Sequence, residues 1–230
     1  MSEPSYRLVD EGYRRVLTVD GHEHPTSYSE RVVRMLIERK GVRRALLYFP
    51  FKETRGRHFL SPLFRYLRSR GLKDLAVLEV GCSFGHMTEY LVEQPEVAAL
   101  FTFDTDPAFV AIVRAKIEEL GLAKVREIAR LSNEETRRLP YADGAFDLVV
   151  ASGVVEHLPE HHRRAQVNEY YRVLAPRGAV AILEFSKPHL PGLATLFNVY
   201  FQRLLPRLGG FLTGRSEPYR GSCELSALGF

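Results

Sequence analysis

The stretch Leu75-Ala76-Val77-Leu78-Glu79-Val80-Gly81-Cys82-Ser83-Phe84-Gly85-His86-Met87 limits the folds open to this chain more than any other. Leu75 to Val80 is an apolar run, broken only by Glu79, of the length of one buried strand. It ends in a turn holding two glycines, and Met87-Thr88-Glu89-Tyr90-Leu91-Val92 behind the turn reads as a helix. A buried strand that breaks at glycine and restarts as a helix is the first unit of a nucleotide-binding α/β fold. Gly81, lacking a Cβ, lets the backbone turn sharply and come close to a ligand, and Gly85 lets the helix pack tightly on the strand. The unpaired N–H groups of that helix then face whatever polar group occupies the turn.

The rest of the chain continues the pattern. Strands are expected at Val97 to Phe103, Lys124 to Ala129, Phe146 to Ala151 and Ala179 to Glu184. Between them, Pro107 starts a helix through Leu120 that Gly121 stops, and a second helix runs from about Pro159 to Val173. Strands and helices that alternate in this way predict an α/β fold: a mostly parallel sheet with helices on both faces. Upstream, residues 1–26 read as irregular apart from a short strand at Arg15 to Val19 and a turn at Asp20-Gly21. Ser29 is placed to cap a helix through Lys40, and Ser61-Pro62 opens another that ends near Gly71. Residues 42–59 have no clear pattern. The expected layout is an N-terminal helical cap over 1–71, a core over 72–185 and an apolar lid with a C-terminal segment over 186–230, all in one compact domain.

Two kinds of ligand use such a glycine turn. A dinucleotide site has G-x-G-x-x-G, and counting from Gly81 the other two positions are Ser83 and His86, which weakens a pyrophosphate reading. The alternative is E-x-G-x-x-x-G with Glu79 ahead of the turn. A carboxylate there repels phosphate and suits a ligand bearing an ammonium, such as the methionine end of S-adenosylmethionine. Here Val77-Leu78-Glu79-Val80-Gly81-Cys82-Ser83-Phe84-Gly85 resembles the first motif of the class I S-adenosylmethionine-dependent methyltransferases, with Ser83 where Gly is commoner. A generic strand-to-helix turn remains the plain alternative. Asp104 strengthens the ligand reading. It ends the second strand about 20 residues past the turn, where a nucleotide fold places its ribose acid, and a carboxylate can accept from both ribose hydroxyls.

The resemblance implies more of the site. Glu135, four residues before Leu139-Pro140, holds the position of the acid that faces the adenine amino group, where Asp is commoner. The stretch after the fourth strand, Ser152-Gly153-Val154-Val155-Glu156-His157, should line the methyl-transfer pocket, because ligands of open α/β sheets lie beyond the carboxyl ends of the strands. The implied set for S-adenosyl-L-methionine and its product S-adenosyl-L-homocysteine is Glu79, Gly81, Cys82, Ser83, Gly85, Asp104, Thr105, Glu135, Thr136, Ser152 and Gly153. His157 and Glu156 are the catalytic candidates, since histidine titrates near neutrality and suits a general base. A hydrogen-bonded structural histidine is the alternative for His157.

Residues 183–219 carry a narrower resemblance. Leu183-Glu184-Phe185-Ser186-Lys187-Pro188 and the Tyr/Phe-rich segment Leu193 to Leu212 look like the ubiquinone/menaquinone-type C-methyltransferases. This implies a hydrophobic, aromatic or quinol-like acceptor methylated on carbon or oxygen. Leu228-Gly229-Phe230 looks like the run before the usual C-terminal strand hairpin, which leads to the expectation that this hairpin is missing.

Composition closes off other classes. With 230 residues, 45% hydrophobic and 26% charged, the chain suits one ordinary globular domain. No apolar run approaches the roughly 18 residues of a membrane span, and Met1 to Tyr6 lacks the features of a signal peptide. Cys82 and Cys223 make neither a disulfide framework nor a metal set, so a cytoplasmic location and no metal are expected. Residues 31–70 hold twelve Lys or Arg against Glu38 and Glu53. Such a block suits peripheral membrane contact or a solvated helical face. No nucleic-acid module is evident, and a homodimer is an open expectation. A non-catalytic S-adenosylmethionine-binding or interaction protein and a nicotinamide oxidoreductase stand as the competing functions.

Overall fold

The computed structural model describes residues 5–11, 15–49, 56–57 and 60–183. Three antiparallel strands come first: β1 (Tyr6–Asp10), β2 (Arg15–Val19) and β3 (His22–Pro25), in the order β1-β2-β3. Asp20 and Gly21 both have positive φ, 48° and 82°, so the β2–β3 hairpin closes through a two-residue turn whose twist matches the strands. The region read as irregular therefore holds a small sheet. The pattern concealed it because β1 and β3 are short and mostly exposed, and only β2 is substantially buried, at Val16, Leu17 and Val19.

Three helices follow. In α1 (Glu30–Lys40) the Ser29 hydroxyl accepts the Val32 N–H at 3.3 Å, and Val32, Val33, Leu36 and Ile37 form the buried face. Gly41 ends it, and α2 (Val42–Tyr48) begins at once inside the stretch that pattern alone did not place. Seven residues are too few to show a period. α3 (Ser61–Ser69) carries Pro62 in its first turn, where a missing N–H costs nothing.

The core then alternates β4 (Leu75–Val80), α4 (His86–Glu93), β5 (Val97–Asp104), α5 (Pro107–Leu120), β6 (Val125–Arg130), β7 (Phe146–Ser152), α6 (Glu160–Val173) and β8 (Leu174–Leu183). The five core strands are parallel, in the order β6-β5-β4-β7-β8. β4 is apolar apart from Glu79 and almost entirely buried, because parallel strands covered on both faces expose neither side. The strand order reverses between β4 and β7, and that switch point opens a crevice at the carboxyl edge. β8 starts at Leu174, ahead of the expected Ala179, with a register shift after Phe146 pairs with Leu174.

Two apolar clusters hold the layers. One joins α3 and α4 to the sheet through Leu60, Phe64, Leu67, Met87, Leu91, Val77 and Leu100. The other seats the N-terminal sheet, α1 and α2 on α5, and it includes Phe84 from the glycine turn. The cap is thus mixed strand and helix, and it presses on the turn itself. The chain divides into two compact units, residues 1–154 with 158–183 and residues 155–157 with 184–230. The expected lid at Leu193 to Leu212, the Glu184 to Pro188 run and the missing C-terminal hairpin lie outside the described residues.

Much of the basic block is used internally. Arg31 pairs with Glu118, Arg34 with Glu30, Arg39 with Asp106, Arg43 with Asp20 and Arg68 with Glu96. Four of these tie the block to acids elsewhere in the chain, so local sequence exaggerates its free charge. Deeper in, Lys116 Nζ meets Glu89 Oε1 at 2.8 Å with side chains 2% and 6% exposed, and the Tyr28 hydroxyl donates to the same oxygen at 2.9 Å. Burial pushes the Tyr28 phenol well above its ordinary range, and the Glu89 carboxylate pushes the same way. Lys116 also lies 3.9 Å from the Tyr28 ring centre. A buried pair of this kind is costly to break, because the surviving charge is left without its partner. Lys116→Met is expected to destabilise the fold by about 3–5 kcal/mol, whereas adding Glu89→Leu should recover a large part. Urea unfolding midpoints check this; equal losses in the single and double variants would contradict it.

Candidate cofactor site

The register places Val80 beside Phe103 on one side and Ala151 on the other. Gly81, Asp104 and Ser152 are therefore close successors at one sheet edge. Gly81 and Cys82 both donate their N–H to Phe103 O at 3.0 Å, which folds the turn across the end of β5. Gly81 has φ +74°, and a Cβ there would lie 2.6 Å from Val154 Cγ2, so the loops after β4 and β7 touch where only glycine fits. Gly85 adopts left-handed geometry as the cap of α4, and a Cβ there would meet Val113 of α5 at 3.0 Å.

Asp104 binds this turn together. Its Oδ2 accepts the Ser83 N–H at 2.8 Å and its Oδ1 accepts the Asp106 N–H at 2.9 Å. Ser83 has φ +47°, which is strained for a residue with a side chain. The hydrogen bond to Asp104 fixes it there, and this is how the turn tolerates serine in place of glycine. Each carboxylate oxygen has a second acceptor position, so two hydroxyls on one ligand edge can still be received. Thr105 is exposed next to it.

Glu79 is fully enclosed. Its Oε2 accepts the Thr88 hydroxyl of α4 at 2.6 Å, and Oε1 is buried without a hydrogen bond among the described residues. Burial pushes its carboxyl up to about 7; the Thr88 and Thr102 hydroxyls oppose this, and the nearby Asp104 carboxylate acts in the same direction as burial. Cys82 is buried as well, and burial, with Glu79 and Asp104 nearby, pushes its thiol up. It fills the turn and is in no state to act as a nucleophile.

The loop after β6 begins where Leu131 N–H donates to Asp104 O at 3.1 Å. Glu135 and Thr136 sit in its 3₁₀ turn, Glu135–Arg137. Glu135 Oε2 accepts the Ser132 N–H at 2.7 Å while Ser132 Oγ accepts the Glu135 N–H at 3.2 Å. This reciprocal cap holds the Glu135 carboxyl below the usual range and turns it back on its own loop. Thr136 is buried, its hydroxyl on Asn133 O. Arg172 of α6 clamps the following segment by donating to Leu139 O and Tyr141 O at 2.9 Å and pairing with Asp143 and Glu169. On β7, Ser152 is half-buried, and Gly153 N–H donates to Leu183 O at 2.9 Å.

Glu156 and His157 lie in a short 3₁₀ turn, Val155–His157, of the second unit. Glu156 Oε1 and His157 Nε2 are 3.6 Å apart, and the His157 side chain is 74% exposed. The structure gathers Glu79, Gly81, Cys82, Ser83, Gly85 and Asp104 into one cradle, while Glu135 and Thr136 bond within their own loop. The buried Tyr28 donates its hydroxyl to Glu89. Sequence reasoning missed Thr88 under Glu79 and Arg39 on Asp106, and it named Val154 only as part of the Ser152 to His157 stretch, without its contact on Gly81. Only Asp106 left a signal, as a helix cap ahead of Pro107.

The cradle fits S-adenosylmethionine on two counts. A buried Glu79 oxygen has no hydrogen bond among the described residues, which suits an ammonium, and each Asp104 oxygen accepts one backbone N–H, which leaves acceptor capacity that suits a diol. Residues 77–178 match the family described as a methyltransferase domain. The chain is 33% identical over 144 residues to the demethylmenaquinone methyltransferase of Thermus thermophilus, covering 63% of this chain and 62% of that protein. It is 31% identical over 126 residues to the ubiquinone/menaquinone biosynthesis C-methyltransferase of Haemophilus ducreyi, covering 53% and 48%. The matches thus span between about half and three-fifths of those relatives. Among solved structures, the YcgJ protein of Bacillus subtilis shares the fold, with a TM-score of 0.50, 22% identity and coverage of 61% of this chain and 56% of that one.

Glu79 predicts a pH signature. Its folded carboxyl titrates near 7 and an unfolded glutamate near 4.5. Between those values the folded protein holds a proton that the unfolded chain has released. The stability this group supplies is full below about pH 4.5 and is lost as pH rises through about 7. The span corresponds to on the order of 3 kcal/mol. Glu79→Gln should flatten this decline when unfolding midpoints of the ligand-free protein are compared at pH 5 and pH 8; parallel slopes would contradict the assignment.

Proposed function

We propose, from the premise that residues 77–178 are a methyltransferase domain, that this chain transfers the methyl group of S-adenosylmethionine to carbon or oxygen of a hydrophobic, aromatic or quinol-like small molecule. One observation carries the cofactor half of the reading. Asp104 fixes the glycine turn with one acceptor position of each oxygen and keeps the others for a ligand diol. The acceptor half is supported by the two quinone-pathway relatives, whose names state menaquinone or ubiquinone chemistry.

The bound sulfonium supplies an activated methyl, so little covalent chemistry is asked of the protein. The chain's own residues bind, orient and dry the reactants. Asp104 receives the ribose hydroxyls. Glu79, ionised by a nearby ammonium, holds the amino-acid end. The Gly81–Gly85 turn approaches the ligand with backbone alone. Aligning the two reactants accounts for much of the rate of such a displacement. Where the acceptor must lose a proton, His157 is the base, with the Glu156 carboxylate 3.6 Å from its Nε2. Glu135 is left a supporting role, since its carboxylate caps its own loop.

Calorimetry with S-adenosylhomocysteine tests the cofactor claim. Wild type should bind, and Asp104→Ala should lose at least tenfold in affinity, the cost of about one charge-assisted hydrogen bond. Undiminished binding by a folded Asp104→Ala would sink the assignment. Labelled S-adenosylmethionine offered with demethylated quinols, simple phenols and polar acceptors tests the rest. Turnover of apolar acceptors is expected, and turnover confined to polar ones would overturn the acceptor class. Binding without any turnover would favour a non-catalytic protein. If an acceptor hydroxyl reacts, His157→Ala should slow transfer by roughly 10²-fold or more, and an unchanged rate would remove His157 as the base.

A further inference from the structure

We infer that Arg39, at the end of α1, is a positioning residue for the cofactor: through Asp106 it sets the carboxylate of Asp104 that receives the ribose. The inference rests on the cofactor reading above and extends it to a residue of the N-terminal cap. Arg39 Nη2 and Nε donate to Asp106 Oδ2 at 2.7 and 3.2 Å. Asp106 Oδ1 caps α5 by accepting the Ala108 N–H at 2.8 Å. The Asp106 backbone N–H donates to Asp104 Oδ1 at 2.9 Å, and Asp104 Oδ2 takes the Ser83 N–H at 2.8 Å. A continuous relay therefore runs from the cap helix to the glycine turn, with the ribose acid in its middle.

Each link has a physical consequence. Asp106 is a second carboxylate two residues from Asp104, and Arg39 offsets that repulsion. Because both Asp106 oxygens are engaged, the peptide bearing its N–H is held in one orientation, and with it the Asp104 rotamer. The Arg39 guanidinium also lies 5.2 Å from the Phe109 ring centre, and Phe109 packs on Phe84 of the turn at 4.7 Å. Without Arg39 the 104–107 turn gains conformations that ligand binding must then remove. Arg39 and Asp106 side chains are 43% and 25% exposed, which limits the size of the effect.

Calorimetric affinities for S-adenosylhomocysteine and its 2′-deoxy analogue test the relay. Arg39→Gln should weaken S-adenosylhomocysteine by about three- to fivefold, and Arg39→Lys should restore part of the loss. Asp106→Asn keeps the helix cap but loses the charge pair, so it should match Arg39→Gln, and the double variant should lose no more. For the 2′-deoxy analogue, which offers Asp104 one hydroxyl fewer, the penalty of Arg39→Gln should shrink to under half. Equal penalties with both ligands, or a lowered melting temperature with unchanged affinity, would make Arg39 merely structural and overturn the inference. A wild type that binds neither ligand would overturn the cofactor reading as well, whereas wild-type binding with undiminished Arg39→Gln affinity removes the relay alone.

Discussion

The buried carboxylate of Asp104 is the constraint on which the site depends. The turn after β4 must reverse direction within a few residues and leave room for a ligand against its backbone. That geometry places Ser83 at a φ of +47° with an N–H needing an acceptor. An acid at the end of the neighbouring strand supplies the acceptor at 2.8 Å and joins the two loops of the switch point. The same group is chemically suited to a vicinal diol. The two hydrogen bonds that support the turn use one acceptor position of each oxygen, and the remaining positions suit a diol.

The cap extends this logic outward. Phe84 leaves the turn on the side away from the sheet and is buried against Tyr48 and Phe109 at ring separations of 4.2 and 4.7 Å. Tyr28 reaches Glu89 of α4 and Lys116 of α5, the two helices that flank the turn. A turn that must stay open toward a ligand on one face is held from the other by aromatic packing and by a buried ion pair. Aromatic contacts tolerate small displacements, and the buried pair does not, since a shift of an ångström or so leaves a charge uncompensated. Between them they position α4, whose Thr88 in turn holds Glu79.

The parts of this arrangement that were legible in the sequence are those that local chemistry dictates. Apolar runs bounded by glycine and proline located all five core strands, and Pro107 with Gly121 located α5 to the residue. Glu79, Gly81 and Asp104 were visible because their spacing follows from strand and helix lengths. What stayed hidden depends on tertiary approach. β1 and β3 lack an apolar period because only β2 of that sheet is substantially buried. Glu135 sits at the expected place in the chain, but Ser132 three residues earlier forms a capping box with it. The S-x-x-E spacing of Ser132 and Glu135 is itself a capping signal in the sequence. Arg39 and Lys116 looked like two more cations in charged helices, and only their partners, 67 and 27 residues away, give them roles.

Glu79 shows why a site of this kind stores unfavourable interactions until its ligand arrives. A carboxylate enclosed behind the turn, beside a second carboxylate, is raised to about 7 and carries an oxygen with no donor. In the free protein this is a cost, since the group must either keep its proton or hold an uncompensated charge. A ligand ammonium relieves both conditions at once, and a phosphate relieves neither. Two carboxylates at the ends of adjacent strands therefore suit a cationic, diol-bearing ligand better than a pyrophosphate. The glycines permit approach to the turn, and the acids determine what approaches.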